Sequence, residues 1–138
     1  MRRVTYMESL AEIEYRKLHG RPMARVTHYK GVAFRSRLEV RFAFHLDLLG
    51  ERWKYEPRTY GPKGKRYIPD FEILGAVRPT FIEIKPTLAE VDAAKEKMSV
   101  IWDTHPDALL IVACEEARAF HGCYGGGQWT SWQERWAA

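Results

Sequence analysis

Residues 108–114, Ala-Leu-Leu-Ile-Val-Ala-Cys, most narrow what this chain can fold into. A continuous apolar run of this length reads as a strand buried on both faces, the habit of a central strand in a sheet covered by helices. The preceding segment supplies a covering helix. Leu88, Val91, Ala94, Met98 and Ile101 recur at helical spacing to about Asp103, and Pro106 closes the pattern. Thr87-Leu88-Ala89-Glu90 forms a capping box at its start. Earlier still, Thr80-Phe81-Ile82-Glu83-Ile84-Lys85 alternates with the period of a strand, and Pro86 stops it. Strand, helix and buried strand in that order form a crossover unit, so the two strands are expected to pair in parallel.

The first of those strands carries the chemistry. Successive strand residues point to opposite faces, so Ile82 and Ile84 face one way and Glu83 and Lys85 the other. A strand over residues 66–73 precedes it, joined through Gly75 and Pro79, and contains Pro69-Asp70. Proline gives no ladder hydrogen bond and marks a bend, bulge or edge, and a bend there swings Asp70 toward Glu83. Hard divalent ions take oxygen ligands from one or two carboxylates plus substrate phosphate. Lysine is a compact cation suited to a phosphate or to an attacking water. The alternative for Glu83 and Lys85 is the wet face of an ordinary strand.

Upstream, Ser36 can cap a helix whose stripe is Leu38, Phe42, Leu46 and Leu49, ended by Gly50. Glu39 completes a capping box with Ser36 and suits the helix dipole, so its residue pattern favours a cap over chemistry. Arg35, Arg37 and Arg41 flank it as phosphate contacts. His45 reads as a packing or surface histidine. Residues 52–56 alternate aromatic and charged side chains, a half-buried strand ended by Pro57. Glu56 there is either an acid supporting a metal site or an exposed strand charge. Gly61-Pro62-Lys63-Gly64-Lys65-Arg66 reads as a basic hairpin loop. Lys63, Lys65 and Arg66 at its tip either touch a DNA backbone or are simply solvated.

Pro69-Asp70 followed by Glu83-Ile84-Lys85 resembles the PD-(D/E)XK nuclease superfamily. The helix start Phe34-Arg35-Ser36-Arg37-Leu38-Glu39 and the Tyr55-Glu56-Pro57 corner narrow the likeness to its small phage and transposon branch, which includes junction-resolving endonucleases. The resemblance covers about residues 31–114. It implies an α/β, restriction-endonuclease-like core in αβββαβ order, with a mixed central sheet flanked by helices. It implies a magnesium-dependent endodeoxyribonuclease, with manganese able to substitute. Asp70, Glu83, the Ile84 carbonyl and Glu39 would hold metal, reversing the cap-only reading of Glu39. Lys85 would serve the attacking water, and the product would carry a 5′-phosphate. The expected partner is DNA, branched or a four-way (Holliday) junction, with a homodimer as a further arrangement. The alternatives are a non-catalytic DNA-binding or assembly module on the same fold and a nuclease subunit of a transposition or packaging complex.

Composition agrees with a single domain spanning all 138 residues, 46% hydrophobic and 13% aromatic. The net charge of +4 is divided: residues 1–66 balance at +9 and residues 67–138 at −5, a basic face for a polyanion beside an acidic part. No apolar run approaches the roughly 20 residues of a membrane span and no signal peptide is evident, so a cytoplasmic protein without membrane contact is expected. The run Gly125-Gly126-Gly127 lacks the lysine and hydroxyl of a phosphate loop, so no nucleotide cofactor is expected.

The ends are less legible. Thr5 can cap a helix over about residues 6–18, bearing Met7, Leu10, Ile13 and Leu18. That helix is a core cover, a dimer contact or a DNA-facing arm. Residues 24–29 read as a short strand or arm broken by Gly31. His121-Gly122-Cys123 and the glycines after it read as a loop. Cys114, His121 and Cys123 match no common zinc spacing. Trp129, Trp132 and Trp136 lie at helical spacing as caps on the core or as a partner surface.

Overall fold

The computed structural model of the chain describes residues 27–133. The helix expected over residues 6–18, residues 24–26 of the arm, and Trp136 lie outside the described residues. Strands β1 (Thr27–Tyr29) and β2 (Val32–Phe34) form a hairpin. Its two-residue turn is Lys30-Gly31, both at positive φ (50° and 77°), the backbone that a tight right-twisted hairpin requires. Gly31 therefore reverses the chain into a second strand instead of merely ending the first.

Helix α1 (Arg37–Leu48) follows. Ser36 is its N-cap, its hydroxyl accepting from the Glu39 N–H at 3.1 Å. At the far end the Glu51 N–H donates to the Leu46 carbonyl and the Gly50 N–H to the Asp47 carbonyl, both at 3.0 Å, with Gly50 at φ 75°. This is the glycine-terminated wrap that satisfies the last carbonyls of a helix. The stripe differs from expectation at Leu49, which is the C-cap and exposed. Phe42 and Leu46 are buried, joined by Val40, Ala43 and His45.

The main sheet runs in the order β3-β4-β5-β6-β7-β8. Its strands are β3 (Arg52–Tyr55), β4 (Phe71–Leu74), β5 (Thr80–Lys85), β6 (Leu109–Cys114), β7 (Ala119–Tyr124) and β8 (Thr130–Gln133). Only β5 and β6 pair in parallel, in register Thr80 with Leu109 through Lys85 with Cys114. Helix α2 (Val91–Met98), preceded by a 3₁₀ turn and extended by another to Asp103, makes the crossover. From Arg37 to Cys114 the elements thus run helix, three strands, helix, strand, in a mixed sheet.

Two apolar layers clothe the sheet. Phe42, Ala43 and Leu46 of α1 pack on Phe71, Ile82, Ile84, Ala113 and Phe120. On the other face Val91, Ala94, Met98 and Ile101 pack on Phe81, Leu110, Val112 and Cys114, with Tyr60 and Tyr67 alongside. Leu88, counted in the helical stripe, is instead exposed in the 3₁₀ turn.

Three expectations fail for identifiable reasons. The strand expected over residues 66–73 is regular only from Phe71. Tyr67 makes an isolated bridge to Tyr60, and buried Pro69 can donate nothing to a ladder. His121-Gly122-Cys123 is the middle of β7, not a loop, and Trp132 lies on β8, not on a helix. Gly122 is a packing residue there. A Cβ at that position would stand 2.7 Å from the Trp132 ring, which stacks on Phe120 at an interplanar angle of 14°. Trp129 packs on Trp102. Both tryptophans thus cover the core. Cys123 pairs with Leu110, four residues along β6 from Cys114, so the cysteines stand roughly 13 Å apart along the strand. Among the described residues no helix is long and apolar enough to cross a membrane.

Candidate active site

The β4–β5 ladder ends at the pair Phe71–Ile82. One residue further, Asp70 falls across from Glu83. Pro69 ends the backbone pairing, and the Asp70 side chain takes over. Its Oδ2 accepts the Ile84 N–H at 2.8 Å. The Glu115 N–H donates to the Lys85 carbonyl at 3.0 Å, which sets the parity of the β5–β6 ladder. Lys85 then bonds toward β6, so the backbone groups of Ile84 turn toward β4, into the gap that Asp70 has opened.

Around this gap lies a pocket of about 330 Å³ lined by Arg35, Glu39, Asp70, Glu83, Lys85 and Glu115, among others. A larger hollow of about 480 Å³ opens beside Leu46, Leu74 and Trp132, but among the described residues His45 and Glu51 are its only ionisable lining groups. Of the candidate residues, Arg35, Glu39, Asp70, Glu83, Ile84 and Lys85 converge on the smaller one, while Arg37, Arg41, Glu56, Lys63, Lys65 and Arg66 lie outside its lining.

Each acid is held by a named donor. Glu83 is buried, accepts a hydrogen bond from the Tyr67 hydroxyl at Oε1, and has the Lys85 ammonium 3.4 Å from Oε2. Glu39 is buried in the first turn of α1 and receives the Ser36 hydroxyl at Oε1 and the Tyr55 hydroxyl at Oε2, both at 3.0 Å. It therefore braces the N-cap serine and lines the pocket at once, although its carboxylate meets the Ser36 hydroxyl and not the backbone N–H that a capping box would use. Asp70, only 3% exposed, has its pKa raised from 3.8 to about 8. Burial is the largest cause, followed by the neighbouring charges of Glu83 and Glu39. Burial and the Glu83 charge also hold the Tyr67 phenol far above its usual range, so it remains a donor.

Glu56 stands at the corner after β3 with φ 45°, a left-handed conformation that glycine favours. Its N–H donates to the Asp70 carbonyl at 2.8 Å and its carboxylate meets the Arg35 guanidinium at 2.9 Å. Burial raises its pKa against the opposing pull of Arg35. It is thus tied to the pocket and is not a free strand charge.

The basic residues divide. Arg35 also lies 3.5 Å from Asp70 Oδ1. Arg41 is paired with Glu115 at the pocket wall. Arg37 is exposed at the start of α1. Lys63, Lys65 and Arg66 are exposed on a loop closed by the Tyr60–Tyr67 bridge and turned by a Lys65 N–H to Pro62 carbonyl bond of 2.9 Å. Tyr67 ends this loop and also holds Glu83, so the basic tip and the acidic pocket share an anchor.

Tyr55, Tyr67 and Glu115 escaped the reading of the sequence as site residues. Tyr55 ends β3, Tyr67 sits at an isolated bridge and Glu115 follows β6, and none of these positions carries a local marker of role, because what matters is which carboxylate or cation lies opposite in space. Chemically the pocket gathers hard oxygen donors with more acids than cations, the composition that suits magnesium or manganese over softer metals. Among the described residues no three acidic, histidine or cysteine side chains form a ready cage. Magnesium, though, takes one or two carboxylates and completes its shell with water and phosphate. The chain matches no family model and none of the curated proteins with which it was compared.

Proposed function

We propose that this chain is a metal-dependent DNA endonuclease on a restriction-endonuclease-like fold, hydrolysing phosphodiester bonds with preference for branched DNA. The observation that carries the reading is the meeting of Asp70 and Glu83 across the end of adjacent strands, with Lys85 beside Glu83 and the Ile84 backbone turned into the same gap. Asp70, Glu83 and the Ile84 carbonyl would hold magnesium, with Glu39 as further support. Bound there, the ion supplies a positive charge for the scissile phosphate and lowers the pKa of a coordinated water.

The remaining work belongs to the chain. Lys85 orients the attacking water and donates to a non-bridging phosphate oxygen. Tyr67 and Tyr55 lock the Glu83 and Glu39 carboxylates in place. Water oxygen bonds to phosphorus as the bond to the 3′-oxygen breaks, leaving a 3′-hydroxyl and a 5′-phosphate. Arg37 and the loop bearing Lys63, Lys65 and Arg66 contact the DNA backbone without reading sequence, which suits selection by shape.

The test is a matched set of linear duplex, single strand, nicked duplex, flap and four-way junction, incubated with magnesium, manganese or EDTA. Preferential cutting of the branched substrates with either metal, and none in EDTA, is the expected result. Binding without cutting on every substrate would instead identify a non-catalytic DNA-binding module. A separate expectation concerns the tyrosine anchors. Tyr67→Phe should lower metal affinity or cleavage rate by about 10–100-fold, as removal of such supporting hydrogen bonds does elsewhere. Calorimetric magnesium titration and cleavage rates would show it, and unchanged values for both would exclude the anchoring role.

A further inference from the structure

We propose that Arg35 is a tethered counter-ion of the acidic pocket, competing with the divalent cation for Asp70 and passing to a DNA phosphate once that cation is bound. The inference rests on the metal-site reading above. The Arg35 guanidinium bridges groups from several parts of the chain. Its Nη2 lies 2.9 Å from Glu56 Oε2 and 3.5 Å from Asp70 Oδ1, and its Nε donates to the Tyr55 hydroxyl at 3.4 Å. The Arg35 backbone N–H also donates to that hydroxyl, at 3.3 Å. The main chain is therefore pinned at the pocket rim while the side chain remains 59% exposed. This is the build of an arm with a fixed base and a head that can leave.

The chemistry sets the competition. A guanidinium stays protonated at any working pH, so the pocket cannot shed this charge by titration. Asp70 Oδ2 is committed to the Ile84 N–H, which leaves Oδ1 as the oxygen facing Arg35. A divalent cation on Asp70 would approach the same oxygen and repel the guanidinium beside it. Glu56, 30% exposed, gives the arm a second hold at the rim. Once displaced, the planar fork suits a phosphate, and Arg35 immediately precedes the helix cap at which Glu39 faces the same pocket. Acid shielding and phosphate binding are thus successive tasks of one side chain.

The experiment is manganese binding without DNA, followed by electron paramagnetic resonance of the free ion, for wild type, Arg35→Gln, Arg35→Lys and Asp70→Asn. Arg35→Gln should bind manganese about tenfold more tightly than wild type, Arg35→Lys should fall between them, and Asp70→Asn should bind weakly. With saturating calcium, a non-cleaving probe ion, Arg35→Gln should bind junction DNA with a salt dependence shallower by about one phosphate contact. Equal or weaker manganese binding by Arg35→Gln, with wild type binding and Asp70→Asn not, would overturn the competition alone. Failure of wild type and both Arg35 variants to bind manganese would overturn the metal site and this inference with it. Circular dichroism melts of each variant establish that the proteins compared are folded.

Discussion

Asp70→Asn is expected to abolish DNA cleavage while making the metal-free protein more stable. The carboxylate is 3% exposed and lies beside Glu83 and Glu39, with its pKa raised from 3.8 to about 8. A carboxyl whose folded pKa is raised holds more protons in the folded than in the unfolded state between those values. Stability therefore falls as pH rises from about 4 to about 8, and the penalty is largest above that range. Asparagine carries no charge to bury, its side-chain oxygen can still accept the Ile84 N–H, and the ion contact it gives up is a long one of 3.5 Å to an exposed Arg35 that keeps Glu56 as its nearer partner. In EDTA at pH 8 the variant should be more stable by about 2 kcal/mol, or roughly 5 °C in Tm. Its stability should also vary less with pH than that of wild type. The same change removes a central oxygen ligand, and cleavage should fall by roughly a thousandfold or more. Melting curves from pH 5 to 9 and single-turnover rates would check both halves. A variant that melts lower at pH 8, or that cuts at the wild-type rate, would contradict them.

Phe71→Ala should cost about 3–5 kcal/mol, a large part of the 5–15 kcal/mol that holds a typical domain together. Phe71 is fully buried and is the ring on which others converge. Its centroid lies 5.5 Å from Trp53, 5.6 Å from Tyr55, 5.8 Å from Phe42 and 6.1 Å from Phe34. These side chains come from β3, α1 and β2. The cluster therefore holds β3 and α1 against the strand that begins just after Asp70. Tyr55 in turn carries the hydroxyl that fixes Glu39. Loss of the ring should loosen the pocket as well as the core. Urea unfolding of Phe71→Ala and the milder Phe71→Leu would measure the cost. A loss below about 1 kcal/mol for the alanine variant would mean that the cluster repacks freely.

The parts legible in the sequence are those set by local pattern. The uninterrupted run from Leu109 to Cys114, the alternation from Thr80 to Lys85 and the stripe through Val91, Ala94 and Met98 each state their own burial, and together they require the parallel crossover. Ser36 and Glu39 announce the start of α1 in the same way. Elements defined by distant partners were not legible. β2 has three residues and gains its place by packing Phe34 on Tyr55 and Phe71. Gly122 suggested a loop, yet its missing side chain makes room for Trp132.

The candidate site divides along the same line. Asp70, Glu83, Lys85 and Glu39 carry a recognisable order and spacing. Charge alone, by contrast, marks Arg35 and Arg41 only as phosphate contacts. Their carboxylate partners, Glu56 and Asp70 for one and Glu115 for the other, lie up to 74 residues away in the chain. No local rule in the sequence expresses such a pairing.

Metal-dependent cleavage through Asp70 is tested by single-turnover cutting of an end-labelled four-way junction by wild type and Asp70→Asn. Both proteins would be held at concentrations that saturate the DNA, in magnesium and in EDTA. Wild type should cut only in magnesium, leaving 5′-phosphate and 3′-hydroxyl ends, while Asp70→Asn should bind the junction and leave it whole. Undiminished cutting in EDTA, or wild-type cutting by Asp70→Asn, would contradict metal-dependent cleavage through Asp70.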